Sequence, residues 1–211
     1  MLSKEVEKEV IRHLNQIRLL LFLEKEDTKA RLIVSVVNKM PDLEKDIITR
    51  KYLHRDSEYT RHQMIYKDME ISHGLYGKVR LRGLFKIALV LGLTKTMTAS
   101  IIQKDWRQER MLNENFLSVD DNEALVSFLY ESGIYITLDL EREGQVELQQ
   151  AMKKLEPLEA EVIARKYLSR EAEYTRHQAV YKELGLSSGT YKKYRLRALT
   201  KLAAKLSDLI K

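Results

Sequence analysis

"LEAEVIARKYLSREAEYTRHQAVYKELGLSSGTYKKYRLRALTKLA" occupies residues 158–203, and "LEKDIITRKYLHRDSEYTRHQMIYKDMEISHGLYGKVRLRGLFKIA" occupies 43–88. The two stretches align without a gap, 115 residues apart, and 26 of 46 positions are identical. An internal repeat of this kind means a duplicated structural unit. We read a module of roughly 50–60 residues, each copy making its own small core.

Within the second copy the pattern predicts three helices. The first spans about 157–168, with Leu158, Val162, Ile163 and Tyr167 at helical spacing. "SREAE" reads as a polar connector. Thr175, Arg176, His177 and Gln178 then match the capping-box pattern, in which Thr175 caps a helix and Gln178 reaches back to it. Thr60, Arg61, His62 and Gln63 repeat that pattern in the first copy. The second helix is expected over about 176–184, stopped by Gly185, a residue suited to the left-handed position after a helix. Ser187 or Ser188 caps a long third helix running to about Leu209. A short helix, a tight turn and a longer helix make the helix-turn-helix pattern.

"YKELGLSSGTYKKYRLRALTKLA" resembles the promoter-reading C-terminal region of bacterial sigma factors. More narrowly, "VIARKYL…ELGLSSGTYKKYRLRALTKLA" is similar to the ArpU/RinA-type phage transcriptional regulators. The similarity lies in the Tyr-Leu ending of the first helix, the Ser-x-x-x-Tyr start of the third and its Ala-Leu end. It covers each repeat, but neither the N-terminal helices nor the segment between the repeats. The resemblance implies sequence-specific DNA binding and control of phage or prophage genes. In one respect the chain departs from it: Tyr66 and Tyr181 stand where many such modules keep a small residue against the turn.

Projection of the third helix at 100° per residue separates two faces. Tyr191, Tyr194, Ala198, Leu199, Leu202 and Leu206 share the face expected to pack on the first two helices. Gly189, Thr190, Lys192, Lys193, Leu196 and Arg197 look away from it. A glycine that permits close approach, a hydroxyl and three cations at a helix start suit the major groove. We therefore expect DNA contacts from Ser187, Ser188, Gly189, Thr190, Lys192, Lys193 and Arg197, with Thr175–Gln178 near phosphate.

In the first copy the corresponding candidates are His73, Lys78 and Arg82, with Thr60–Gln63 at the helix start. Leu75, Leu81 and Phe85 also fall on its outward face, and Gly77 and Gly83 lie inside the helix, each costing about 1 kcal/mol relative to Ala. An outward apolar face more often marks a protein contact. The second copy is thus the expected primary DNA reader, the first a weaker DNA binder or a protein-docking unit. Arg80 and Arg195 project inward and are expected to pair with Glu44 and Glu159 on the first helix, a phosphate contact being the alternative.

Charge follows the same division. Residues 151–211 carry a net +7 and 39–95 a net +5, while 96–150 carry −7. Two basic modules flanking an acidic segment point to a polyanion partner. The chain has no cysteine, so neither disulfides nor thiolate zinc sites occur. Its longest apolar runs, "LLLFL" and "IALVLGL", are far short of the roughly 20 residues needed to span a bilayer, and a cytosolic protein is expected. Arg, His and Tyr crowded into one short duplicated helix do not make a tyrosine-recombinase site, which needs such residues from dispersed segments. His13, His54, His62, His73 and His177 show no metal-ligand spacing, and no Walker-type phosphate loop occurs. Neither catalysis nor a metal nor another cofactor is expected.

The expected architecture is all-α: two tandem sigma-factor-like helix-turn-helix modules joined by a mostly helical acidic spacer. The boundaries are 1–38 for two N-terminal helices, 39–95 for the first module, 96–150 for the spacer and 151–211 for the second module. Inside the spacer we expect a helix over 95–112 with Trp106 as a packing residue, a loop at "NENFLSVDDN" and a helix at about 122–132. "GIYITLDL" (133–140) alternates like a strand. The expected function is a DNA-binding regulator, with activation the first reading. The alternatives are a module that docks on RNA polymerase or another regulator, and the DNA-recognition subunit of a phage packaging machine.

Overall fold

The computed structural model describes residues 2–94 and 119–209, which divide between two compact units, Met1–Ile101 and Ile102–Lys211. All regular structure among the described residues is helical. The first unit holds α1 (Lys4–Phe22), α2 (Thr28–Lys39), α3 (Asp42–Ile48), α4 (His62–Asp68) and α5 (His73–Val90). The second holds α6 (Val119–Thr137), α7 (Gln145–Met152), α8 (Pro157–Ile163), α9 (His177–Glu183) and α10 (Ser188–Leu206).

The duplication is larger than the 46-residue alignment. α1 and α6 are both 19 residues long and begin 115 residues apart, the spacing of the repeat itself. Each is followed by a left-handed residue at the same offset, Glu24 with φ 51° and Asp139 with φ 53°. α3 and α8 each run on into a single π-helical turn, Thr49–Leu53 and Ala164–Leu168. The packing repeats as well: α1 lies against α5 and the first π-turn, and α6 against α10 and the second. α6 and α7 therefore belong to the second unit rather than to a spacer, and α1 and α2 to the first. The boundaries drawn from charge at 38/39 and 150/151 fall inside these units.

Each unit buries apolar side chains of its own, and in the second unit Val162, Val180 and Tyr191 form a smaller cluster beside the main one. Val10, Leu14, Ile33, Ile47, Ile48, Leu84 and Ile87 are all fully buried in the first. Leu125, Leu129, Leu148, Ile163, Leu199, Leu202 and Leu206 belong to the main cluster of the second. Gly83 permits the close approach of α5 to α3, since a Cβ there would stand 2.7 Å from Ile48 Cγ1. Its helix-propensity cost is offset by that packing.

Three local expectations are corrected. The alternation at 133–140 does not make a strand: α6 continues to Thr137, and the chain turns at Asp139. The same residues satisfy a helix because Ile134 and Leu138, four apart, are both buried, whereas Ile136 is 37% exposed. The helix expected to start near 122 starts at Val119, inside the expected loop. Glu44 and Glu159, both fully buried, meet lysines and not Arg80 and Arg195. Lys86 Nζ lies 2.9 Å from both carboxylate oxygens of Glu44, and Lys201 Nζ 2.7 Å from Glu159. Arg80 instead donates to Glu7 of α1 and to the Tyr52 hydroxyl, and Arg195 to the Tyr167 hydroxyl. The expected helix over 95–112, including Trp106, lies outside the described residues.

Candidate nucleic-acid interface

The N-cap and body of α9 and the first half of α10 carry Arg176, Lys182, Lys192, Lys193 and Arg197, all exposed. α9 ends in a Schellman arrangement: the Leu186 N–H donates to the Tyr181 carbonyl at 2.8 Å, and the Gly185 N–H to that of Lys182 at 3.1 Å. Gly185 supplies the left-handed residue with φ 64°. In the first unit the same turn is made by Glu70 with φ 53°, where a side chain is strained. Ser187 is the N-cap of α10, its hydroxyl accepting from the Thr190 N–H at 3.1 Å and lying 2.8 Å from the Thr190 hydroxyl. Ser72 caps α5 in the same way, accepting from the Leu75 N–H at 3.2 Å.

The inward face of α10 is as its periodicity predicts: Tyr191, Ala198, Leu199, Leu202 and Leu206 are buried, with Tyr194 half-buried. Ser188, Gly189, Thr190, Lys192, Lys193 and Arg197 are exposed, and Leu196 is half-buried. α5 and α10 contain no carboxylate. Lys192, Lys193 and Arg197 form no ion pair among the described residues, nor does Lys78 on α5. Among the first-unit candidates, His73 and Lys78 are exposed and Arg82 is half-buried. Phe85, expected on an outward protein-binding face, is 3% exposed and belongs to the core, and Leu81 is half-buried. Of that apolar group only Leu75 is exposed, at 40%.

The pentapeptide shared by both copies is not a capping box. The N-caps of α4 and α9 are Arg61 and Arg176, neither with a side-chain cap bond. Thr60 and Thr175 lie one residue earlier and donate back to the carbonyls of Asp56 and Glu171, at 3.0 and 2.8 Å. That local bond competes with capping and wins here. His62, which is exposed, and His177, which is half-buried, each direct Nδ1 to a tyrosine hydroxyl 2.6 Å away, Tyr76 and Tyr191. Burial, with Lys51 and Arg80 nearby, lowers the pKa of His62, and burial pushes the Tyr76 phenol up to about 12. Both groups are neutral at pH 7, so the bond joins two neutral rings. Tyr66 and Tyr181 complete each aromatic cluster, 5.9 and 6.0 Å from Tyr76 and Tyr191. The side chain that replaces a small residue at the turn is thus packed and not in conflict.

Sequence reasoning passed over a lysine that secures this loop. Lys51 Nζ donates to the Thr60 carbonyl at 2.8 Å and to that of Ser57 at 3.3 Å. Lys166, only 3% exposed, donates to the Thr175 carbonyl at 3.0 Å and to the Tyr130 hydroxyl. Its identity in both copies was the available signal. What the pentapeptide leaves outward is Arg61 with Gln63, and Arg176 with Gln178, all exposed.

No group of three potential metal ligands occurs among the described residues. No helix among them is long and apolar enough to cross a membrane. No family model, curated protein or solved structure matches the chain.

Proposed function

We propose that the chain is a sequence-specific DNA-binding transcriptional regulator, built as two tandem helix-turn-helix modules of the sigma-factor type. The observation that carries this reading is the outward surface of α10. Gly189, Thr190, Lys192, Lys193 and Arg197 are exposed around a capped helix start with no carboxylate on the helix. Such a surface offers a polyanion charge, offers base edges hydrogen-bonding groups, and lets the backbone approach closely at Gly189. The resemblance to ArpU/RinA-type regulators supports phage or mobile-element genes as the target and activation as the effect.

The test is selection of genomic DNA fragments by the purified protein. One motif should be enriched, and its affinity should fall steeply with salt. Phosphate contacts by Arg176, Lys193 and Arg197 alone imply a slope of log K on log salt of about −2.7. Failure to enrich any motif refutes the reading.

A further inference from the structure

The longest identical run in the two halves is Glu58–Gln63 against Glu173–Gln178. Its internal bonds are also the same in both units. Thr60 and Thr175 bond back to the preceding turn, Lys51 and Lys166 hold their carbonyls, and His62 and His177 are tied to tyrosines of the following long helix. This clamp fixes the start of the short helix to the first turn of the long one. Arg61, Gln63, Arg176 and Gln178 have no part in it and are exposed.

The adjoining surface of the long helix is not the same. Ser188, Thr190 and Lys192 in the second unit stand where the first has His73, Leu75 and Gly77. His73 packs edge-on against Tyr66, with ring centroids 5.5 Å apart. Leu75 has no hydrogen-bonding group, and Gly77 has no side chain. Lys78 and Arg82 still match Lys193 and Arg197. Contacts to phosphate position a protein without reading sequence, whereas hydrogen bonds to base edges read it. The first unit has kept cations at the two matching positions, and of the three that differ only the exposed His73 still carries a hydrogen-bonding side chain.

We propose that the first unit is a sequence-tolerant anchor on the DNA sugar-phosphate backbone, working through Arg61, Gln63 and Lys78 while the second unit reads bases. His62 and Lys51 are positioning residues in that anchor and do not meet the DNA. This rests on the DNA-binding reading above. It commits the first unit to a polyanionic backbone and not to a protein, although Met64 and Leu75 add exposed apolar area there.

The experiment uses the full chain with two duplexes of equal length, the enriched fragment and a scrambled version, titrated by anisotropy between 50 and 200 mM salt. R61A/K78A should weaken both duplexes by the same factor, about tenfold at the lower salt, and flatten the salt slope by about 2. T190V/K192A should weaken the enriched fragment several-fold more than the scrambled one. H62F should weaken both without changing the slope, since no phosphate contact is removed. A change in the ratio of the two affinities in R61A/K78A would show that the first unit reads sequence, and would overturn the proposal. No change for either duplex would overturn it in favour of a protein-docking face. A slope in H62F flattened by about 1 would put His62 on phosphate and refute its positioning role. If the wild-type chain binds neither duplex with salt-sensitive affinity, the DNA reading itself fails and this proposal with it. Arg61 and Lys78 are exposed, so unchanged melting of R61A/K78A is the folding control.

Discussion

Removing the Lys86 charge should nearly unfold the first unit while sparing the second. The Glu44 side chain is 0% exposed and that of Lys86 4%, with Nζ 2.9 Å from both carboxylate oxygens. K86M leaves the Glu44 carboxylate buried without that counter-charge, which costs about 3–5 kcal/mol. A domain is stable by about 5–15 kcal/mol, so the loss is a large fraction of the whole. With a urea m-value of roughly 1.5 kcal/mol/M, the midpoint of the first unit should fall by about 2–3 M. Glu44 and Lys86 both belong to the first compact unit, so urea unfolding of K86M should split into an early and a late transition. E44L/K86M removes both charges and fills the space with apolar atoms, and it should recover most of the loss. A midpoint shift under about 0.5 M would refute the reasoning. So would a double variant as unstable as K86M, because the damage would then come from lost packing and not from an orphaned charge.

Further perturbations test other parts of the fold. G133A should destabilise the second unit by about 1–3 kcal/mol despite alanine's better helix propensity, because its Cβ would lie 2.5 Å from the Tyr167 carbonyl oxygen, a backbone atom with nowhere to go; a raised melting temperature would contradict this. E70G should stabilise the first unit by about 1 kcal/mol, by relieving a left-handed residue with φ 53°, and G185A should cost the second a similar amount; urea midpoints moving the opposite way would show that these turns are unstrained. His62 titrates below its ordinary value of 6.5, chiefly through burial, so the unfolded chain binds more protons in the window just under that value. Stability of the first unit should therefore fall as pH is lowered from 7 to 5.5, and H62F should reduce the slope, as read from melting curves at several pH values.

The short and long helices of each module were legible because their signals are local: Gly185 stops one, Ser187 starts the other, and the apolar period of α10 places its buried face. The extension of the duplication was not. α1 and α6 share one identical residue, Leu14 with Leu129, both fully buried. A core position asks only for apolar volume at the right period, so two helices can drift to near-zero identity and still fill the same place. The choice of Lys86 and Lys201 over Arg80 and Arg195 as carboxylate partners was also beyond reach. It depends on how far α5 slides along α3, and α10 along α8, which no single-helix projection contains.

Identity between the halves proved the most informative signal and the easiest to misread. In "YTRHQ" the threonine looked like a cap and the histidine like a phosphate ligand, yet both are engaged inside their own unit. Identical sequence marks what the two copies do in the same way, and that includes internal scaffolding as well as surface contact. Only the hydrogen-bond partners separate the two. Once Thr, His and the lysine behind them are assigned to the clamp, Arg61 and Arg176 remain as identical, exposed residues with no internal use. Where the copies differ, at Leu75 against Thr190 and Gly77 against Lys192, the outward helix face has changed its chemistry. A shared clamp beside a divergent helix face is what two modules would need to grip one duplex together while only one of them reads it.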